Sequence, residues 1–478
     1  MAISALDSAI FADMFGTAPM REVFGDDAFL TRCVEVEAAL ARAQGRLGII
    51  PANAADAITH AANALASGRE ALDLARLKDQ TETVGYPILP LVRQMAELAG
   101  ESGRYLHWGA TTQDIMDTAA VLQIRAGLVL IEQDLTAARG HLAELARKYR
   151  DTAMAGRTHL QHALPVTFGY KAAVWLYALD RHANRLRELR PRVLLVQFGG
   201  AAGTLASLGN GERSLETRAE LAGELELGDP PITWHVVRDG IAETVQVLAL
   251  LAGSLGKIAF DVMLMSATEF GEAAEPFIEG RGSSSTMPQK RNPISCELIL
   301  ASAKVLRQHA GLALDAVVTD FERATGPWHV EWVALPEAFG FAAGALHQAR
   351  FMLGGLIVDH GRMAKNLAMT HGLIVAEAVM MGLAPHTGRN AAHDLVYDAC
   401  RVAIETDRPL LDVLLEIPAV ADPLGPEKLR ALTDPANYLG AAPAMVDHML
   451  ARRTPRQEGV TELRTHSANS RKVRCGSG

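Results

Sequence analysis

Gly280-Arg-Gly-Ser-Ser-Ser-Thr-Met-Pro-Gln-Lys-Arg-Asn-Pro293 separates two long apolar-periodic segments, and Ile294-Ser-Cys-Glu-Leu-Ile-Leu-Ala301 begins directly after it. The stretch is small and polar, so it reads as a loop held at one end by a helix N-terminus. Asn292 is placed to cap that helix and Pro293 to occupy its first turn. Hydroxyls, a lysine and backbone N–H groups at a positive helix end offer a seat for an anion. A Gly/Ser-rich stretch between helices also suits a plain linker.

Working outward, the flanking segments define the fold class. Apolar residues recur at three- and four-residue steps over five segments. They run from about Ile115 to Tyr149, Thr167 to Leu189, Asp239 to Glu272, Ile294 to Val318 and Pro336 to Val358. Five long helices with no strand repeat between them predict an all-α protein built on an elongated central bundle, residues 107–358. Their apolar faces are wider than one bundle can bury, which predicts a homo-oligomer. Upstream, residues 1–106 read as a small helical domain with turn signals at Ser67-Gly68 and Gly85-Tyr86-Pro87. Downstream, breakers at Pro385, Pro409, Pro418 and Pro423 shorten the helices of a third helical domain, 359–451. Residues 452–478 carry seven Lys or Arg against two Glu and read as a basic, disordered tail.

Bulk properties narrow the function. With 478 residues, 49% hydrophobic and only 5% aromatic, the chain can bury a large helical core. A formal net charge of -9 argues against a nucleic-acid partner. Cys33, Cys296, Cys400 and Cys475 lack any disulfide or metal spacing, as expected of reduced thiols. Met1-Ala-Ile-Ser-Ala-Leu-Asp-Ser shows no secretion signal, so a cytoplasmic location is expected. The apolar window Ile241–Met265 is interrupted by Glu243, Gln246, Lys257 and Asp261, which suits a bundle helix rather than a membrane span.

Four polar clusters lie at helix ends: His107-Trp-Gly-Ala-Thr-Thr-Gln-Asp114, Gly156-Arg-Thr-His-Leu-Gln-His162, the Gly280 loop, and Phe321-Glu-Arg-Ala-Thr-Gly-Pro-Trp-His-Val-Glu-Trp332. Each is rich in groups that hold carboxylates. Thr112 or Asp114 can cap the helix that follows the first cluster. In the second, Pro165 and Thr167 mark a loop entering a helix, which disfavours His159 and His162 as a metal pair. His159 beside Arg157, Thr158 and Gln161 reads as an acid or base next to an anion, or as a hydrogen-bonded interface histidine. Gly199-Gly-Ala-Ala-Gly203 matches neither a dinucleotide turn nor a phosphate loop and reads as a tight turn or a close-packing site. No nucleophile elbow or Ser/His/Asp order is present, which disfavours ordinary hydrolases.

Together the clusters resemble the fumarase/aspartase superfamily, whose signature GSSxMPxKxNP is matched by residues 283–293, with Ser283 in place of the usual glycine. The resemblance spans about Thr17 to Leu450. It implies three helical domains, a homotetramer with sites shared between subunits, Ser284 as catalytic base, and no cofactor or metal. Ser283 is expected to stiffen the loop, having less backbone freedom than glycine. Thr17-Ala-Pro-Met-Arg-Glu-Val-Phe24, Gly109-Ala-Thr-Thr-Gln-Asp-Ile-Met-Asp-Thr118, Gln197-Phe-Gly-Gly200 and Gly326-Pro-Trp-His-Val-Glu-Trp332 are similar to the 3-carboxy-cis,cis-muconate cycloisomerase branch. A histidine at position 159 is instead typical of the branches that release fumarate from a substituted succinate. A small di- or tricarboxylate substrate is implied either way. The catalytic set is then Ser284, His159 and Lys290. Arg21, His107, Thr111, Thr112, Thr158, Gln161, Ser285, Met287, Asn292 and Arg323 are the candidates for holding substrate.

Overall fold

The structure is a computed structural model that describes residues 2–209, 211–323 and 325–453. Beyond Arg453, the expected tail lies outside the described residues. Eighteen α-helices among the described residues make the protein all-α, apart from one β-hairpin and a pair of two-residue strands.

Five helices form the central bundle: Thr112–Lys148, Phe168–Val193, Asp239–Ser266, Ile294–Asp315 and Pro327–Gly354. They are called the first to fifth bundle helices below. The apolar periodicity that predicts them is the stripe that meets in the core. Leu128, Ile131 and Leu135 of the first interlock with Leu176 and Leu186 of the second, Leu248 and Leu255 of the third, Ile299 and Leu306 of the fourth, and Phe339 and Leu346 of the fifth. The third helix is long and apolar enough to cross a membrane, and half of its apolar window is buried in this bundle.

Successive bundle helices alternate in direction, so the bundle has two ends. At one, Gln113 Nε2 donates to the His235 carbonyl (2.9 Å), Thr118 Oγ1 to the Gln197 carbonyl (2.9 Å) and Thr319 Oγ1 to the Val236 carbonyl (3.0 Å). At the other, the strands Ala273–Ala274 and Ile357–Val358 pair, and Glu275 reaches the start of the fourth helix. The third helix, at 1.5 Å per residue, separates the two ends by about 40 Å.

The N-terminal helices share a hydrophobic cluster of Val34, Leu40, Ile58 and Leu91 with Ile115, Phe198, Leu221 and Trp328 at the first end. A cluster of Val379, Leu383, Val396, Leu410 and Leu429 lies toward the second end, where Ala155, Leu367, Ile374 and Val375 join it to the hairpin. The helix Ala442–Ala451 returns to the bundle and inserts Val446 into the bundle core.

Four local expectations are corrected. Residues 156–162 are not a loop entering a helix: Ala153–Thr158 and Gln161–Thr167 are antiparallel strands, and Thr167 Oγ1 caps the second bundle helix by accepting Tyr170 N–H (3.0 Å). The fifth helix starts at Pro327, nine residues before the predicted start, and keeps Pro336 inside it. The third ends at Ser266 rather than Glu272. Neither Asn292 nor Thr112 caps a helix. Pro293 and Thr111 hold the N-cap positions, and Asp114 accepts the Thr111 N–H (3.0 Å).

Candidate active site

The loop 280–293 folds back on itself. Asn292 N–H donates to the Gly282 carbonyl (3.0 Å), and Ser283 bridges Arg291. This closure needs the left-handed φ of +70° at Gly282, where a Cβ would stand 2.5 Å from the Asn292 carbonyl oxygen. Ser283 is not among the residues with positive φ, so serine here carries no left-handed strain. Ser284 Oγ accepts N–H bonds from Met287 (3.0 Å) and Thr286 (3.3 Å). These donors are aimed at the oxygen that would carry charge if the hydroxyl lost its proton. Ser285, Met287 and Lys290 are exposed on the same loop, and Arg281 anchors its base through Ser295 Oγ (2.7 Å) and Gln348 Oε1 (2.9 Å). The start of the fourth helix is not an open anion seat. The Glu275 carboxylate already accepts Ser295 N–H (3.1 Å) and Cys296 N–H (2.8 Å).

The second cluster forms the hairpin tip. His159 and Leu160 both take left-handed φ, 51° and 61°, a strained two-residue turn for side chains of this size. Leu160 is 74% exposed, and Thr158 and Gln161 pair across the turn. Below it, Arg157 makes a two-pronged pair with buried Glu272 (2.7 and 2.9 Å), which also accepts from Asn366 Nδ2 (2.9 Å). Burial and the Arg157 charge hold the His162 pKa below the ordinary histidine value.

At the opposite end, Asp114 is the hub. Its buried carboxylate accepts Thr111 N–H (3.0 Å), Gly199 N–H and Gly200 N–H (2.9 Å each) and His235 Nε2–H (2.6 Å). Gly200 has φ +71°, and a Cβ on Gly199 would lie 2.6 Å from Thr233 Oγ1, so this glycine run is the tight turn that its sequence predicts. Arg323 ties the turn to the first helix, donating to the Ala201 carbonyl (2.6 Å) and Gln113 Oε1 (3.1 Å). Thr112 opens that helix, and His107 lies just before it against Glu37 (Nδ1 to Oε1, 2.6 Å). Behind the hub, Arg238 is clamped between Asp117 (2.7 Å) and Glu331, and Trp328 Nε1 donates to Asp117 (3.0 Å). Burial pushes the Glu331 carboxyl above its usual range despite the Arg238 charge.

Within one chain the structure brings His107, Thr111, Thr112 and Arg323 together at one end of the bundle. The hairpin residues and the Gly280 loop lie at the other. The fourth helix alone places Ser284 and Arg323 about 33 Å apart. Arg21 joins none of these groups through its hydrogen bonds, which go to Asp13 (2.5 Å) and the Ala12 carbonyl (3.1 Å). The predicted set omits Asp114, His235, Glu37, Glu272 and Glu275. Asp114 alone carried a local signal, a carboxylate three residues after Thr111 at a helix start.

A family model described as "Lyase" matches residues 15–307, and one described as "Adenylosuccinate lyase C-terminus" matches 372–449. The chain is 48% identical to a 3-carboxy-cis,cis-muconate cycloisomerase of Pseudomonas aeruginosa, over 92% of this chain and 96% of that one. It is also 48% identical to trans-aconitate decarboxylase 1 of Mycosarcoma maydis, over 93% and 90%. Its fold matches the crystal structure of a fumarate lyase from Mesorhizobium sp. BNC1 with a TM-score of 0.86 and 61% identity, covering 92% of this chain and 99% of that one. The matched loop signature, the five-helix bundle and these likenesses identify the chain as an enzyme of the fumarase/aspartase superfamily.

Proposed function

We propose that the enzyme interconverts 3-carboxymuconate and its carboxymuconolactone, with Ser284 as base and with sites assembled from several copies in a homotetramer. The observation that carries this reading is the Ser284 hydroxyl, held by the Thr286 and Met287 amides beside Lys290 on one loop. Serine is a poor base unless its alkoxide is stabilised. Two amides supply part of that stabilisation and Lys290, on the same loop, is the cation available to add to it; one well-placed donor contributes about 3 to 4 kcal/mol in other enzymes. In the lactone-opening direction, Ser284 takes the proton next to a carboxylate and leaves a doubly charged aci-carboxylate. The ring C–O bond then breaks, returning the electron pair to the departing carboxylate. Because Glu275 fills the helix start, Lys290 and the loop amides are the groups of this loop that would hold the extra charge.

The distances support a shared site. Ser284 and the Asp114 hub cannot meet within one chain, while a second copy running antiparallel brings one end of a bundle to the other end of its neighbour. Leu250 and Phe260 on the third helix, 54% and 48% exposed, supply apolar surface for that contact.

The second reading is a lyase releasing fumarate from a substituted succinate. His159 at an exposed hairpin tip favours it, as a proton donor to the leaving group. One ultraviolet panel separates the two: 3-carboxymuconate loss against fumarate appearance from adenylosuccinate, argininosuccinate, aspartate and nitrosuccinate, with trans-aconitate as a further substrate. Muconate loss without fumarate release is expected. Fumarate release without muconate loss overturns the first reading.

A further inference from the structure

Glu37 is a buried carboxylate that the reaction above leaves without a task. It lies in the helix Asp26–Arg46 with its side chain 0% exposed, and its only hydrogen bond among the described residues is Oε1 to His107 Nδ1, at 2.6 Å. Oε2 is buried with no partner. An ion pair kept for stability would have both oxygens satisfied, since an unpaired buried acceptor is costly. The histidine is equally unusual. Its φ is +58°, its ring is 23% exposed, and Nε2 makes no hydrogen bond among the described residues. Gln44 Nε2 pins the next residue by donating to the Trp108 carbonyl (2.7 Å). The ring is thus fixed from behind, at the end of the bundle that holds Thr111, Thr112 and the Asp114 hub.

The charges around the ring favour its cationic form. Burial opposes the charge, but the Glu37 carboxylate, its hydrogen bond and Asp114 outweigh it and hold the His107 pKa above the usual histidine value. Glu37 and Asp114 are the charged groups that act on it. Burial, then the Glu37 charge, also push the Cys33 thiol up, one turn earlier on the same helix.

We propose that Glu37 is a positioning residue: by taking Nδ1–H of His107 it orients the imidazolium and leaves Nε2–H as a charge-assisted donor to one substrate carboxylate. The position thereby selects substrates that carry a carboxylate beyond the pair next to the reacting carbons. This rests on the carboxylate-substrate reading above. It mirrors a general device, in which a buried acid fixes the tautomer and orientation of a histidine whose other nitrogen works.

The test is binding of tricarballylate, a saturated tricarboxylate, to the full-length enzyme by calorimetry between pH 6 and 8.5. Glu37→Gln keeps size and an acceptor but removes the charge. In the variant burial is no longer offset by the Glu37 charge, so the ring gains its proton only at lower pH than in the wild type, and the two affinities are expected to draw together as pH falls. At pH 8 the variant is expected to bind about tenfold more weakly, the loss of one charge-assisted bond. With a turned-over substrate the same variant raises KM and leaves kcat nearly unchanged. Should Glu37→Gln fail to fold, His107→Gln, at a partly exposed ring, is expected to show weak affinity that no longer depends on pH over this range. Equal affinity of wild type and variant at every pH overturns the proposal. So does a loss that does not shrink as pH falls, which marks a structural role, and so does a wild type that does not bind tricarballylate. Failure of the cycloisomerase reading shows separately, as absent muconate turnover with tricarballylate binding intact.

Discussion

Removing the arginine of the Arg157–Glu272 pair is expected to loosen the hairpin and to weaken catalysis at a distance. Both prongs of the pair are short, at 2.7 and 2.9 Å, and Glu272 has no solvent exposure. Arg157→Met leaves that carboxylate buried with Asn366 as its remaining side-chain donor. Breaking a buried pair from one side costs about 3 to 5 kcal/mol, because the surviving charge is uncompensated. Replacing both partners by apolar groups of similar volume removes the stranded charge and costs far less. Arg157→Met and Glu272→Met should therefore each destabilise strongly, while the double variant recovers most of the loss. Denaturant unfolding of the four proteins gives the coupling energy, and hydrogen exchange over 153–167 shows whether the loss is local. The single variants should also lose turnover, since Thr158, His159 and Gln161 sit at the tip of the released hairpin. An Arg157→Met penalty under about 1 kcal/mol, or a double variant no better than the singles, would rule out a stranded Glu272 charge as the cause.

Other consequences are more direct. Asp114→Asn turns an amide NH2 toward N–H donors that now meet a carboxylate oxygen, so about 2 kcal/mol or more of stability is expected to go, with substrate affinity; unchanged denaturation midpoints would contradict the hub. Gly200→Ala forces a side chain into φ +71° with its Cβ 3.0 Å from the Gly109 carbonyl, and a loss of about 1 to 2 kcal/mol is expected in the same assay. His182, hydrogen-bonded to Ser254 Oγ (2.8 Å), is held down to about 4 by burial and then by Arg185 and Arg181. The folded state therefore binds fewer protons than the unfolded one below the ordinary value, and stability falls as pH drops from about 6.5 to 4. His182→Gln should flatten that acid slope by at most about 3 kcal/mol per chain, measured by urea unfolding across the range; an equally steep slope would rule His182 out as its source.

The bundle was legible because five segments repeat apolar residues at helical spacing between clear breakers. The hairpin was not. Ala153-Met-Ala-Gly-Arg-Thr158 and Gln161-His-Ala-Leu-Pro-Val-Thr167 lack a clean two-residue alternation, and the turn between them is His-Leu rather than the Asn-Gly that left-handed φ favours. Pro336 reads as a helix start, yet it lies inside a helix that opens with another proline at 327. The polar clusters could be found by composition, since each sits at an end of a bundle helix. Their grouping could not, because which end each cluster occupies depends on the alternation of long helices. Glu275 and Glu37 gave no signal at all. Each acts on a group 20 or 70 residues away, and only the folded chain brings them together.

The proposed function needs one catalytic site built from stretches that lie at opposite ends of a single chain. Co-expression of two variants tests it most directly: Ser284→Ala, which removes the base, and Arg323→Met, which unties the Asp114 hub. Each oligomer alone is expected to be inactive. In mixed oligomers, a site that draws Ser284 from one copy and Arg323 from another is intact in roughly a quarter of cases, so activity should return to about that fraction of wild type. Mixed oligomers that form yet stay as inactive as either parent would contradict the shared site.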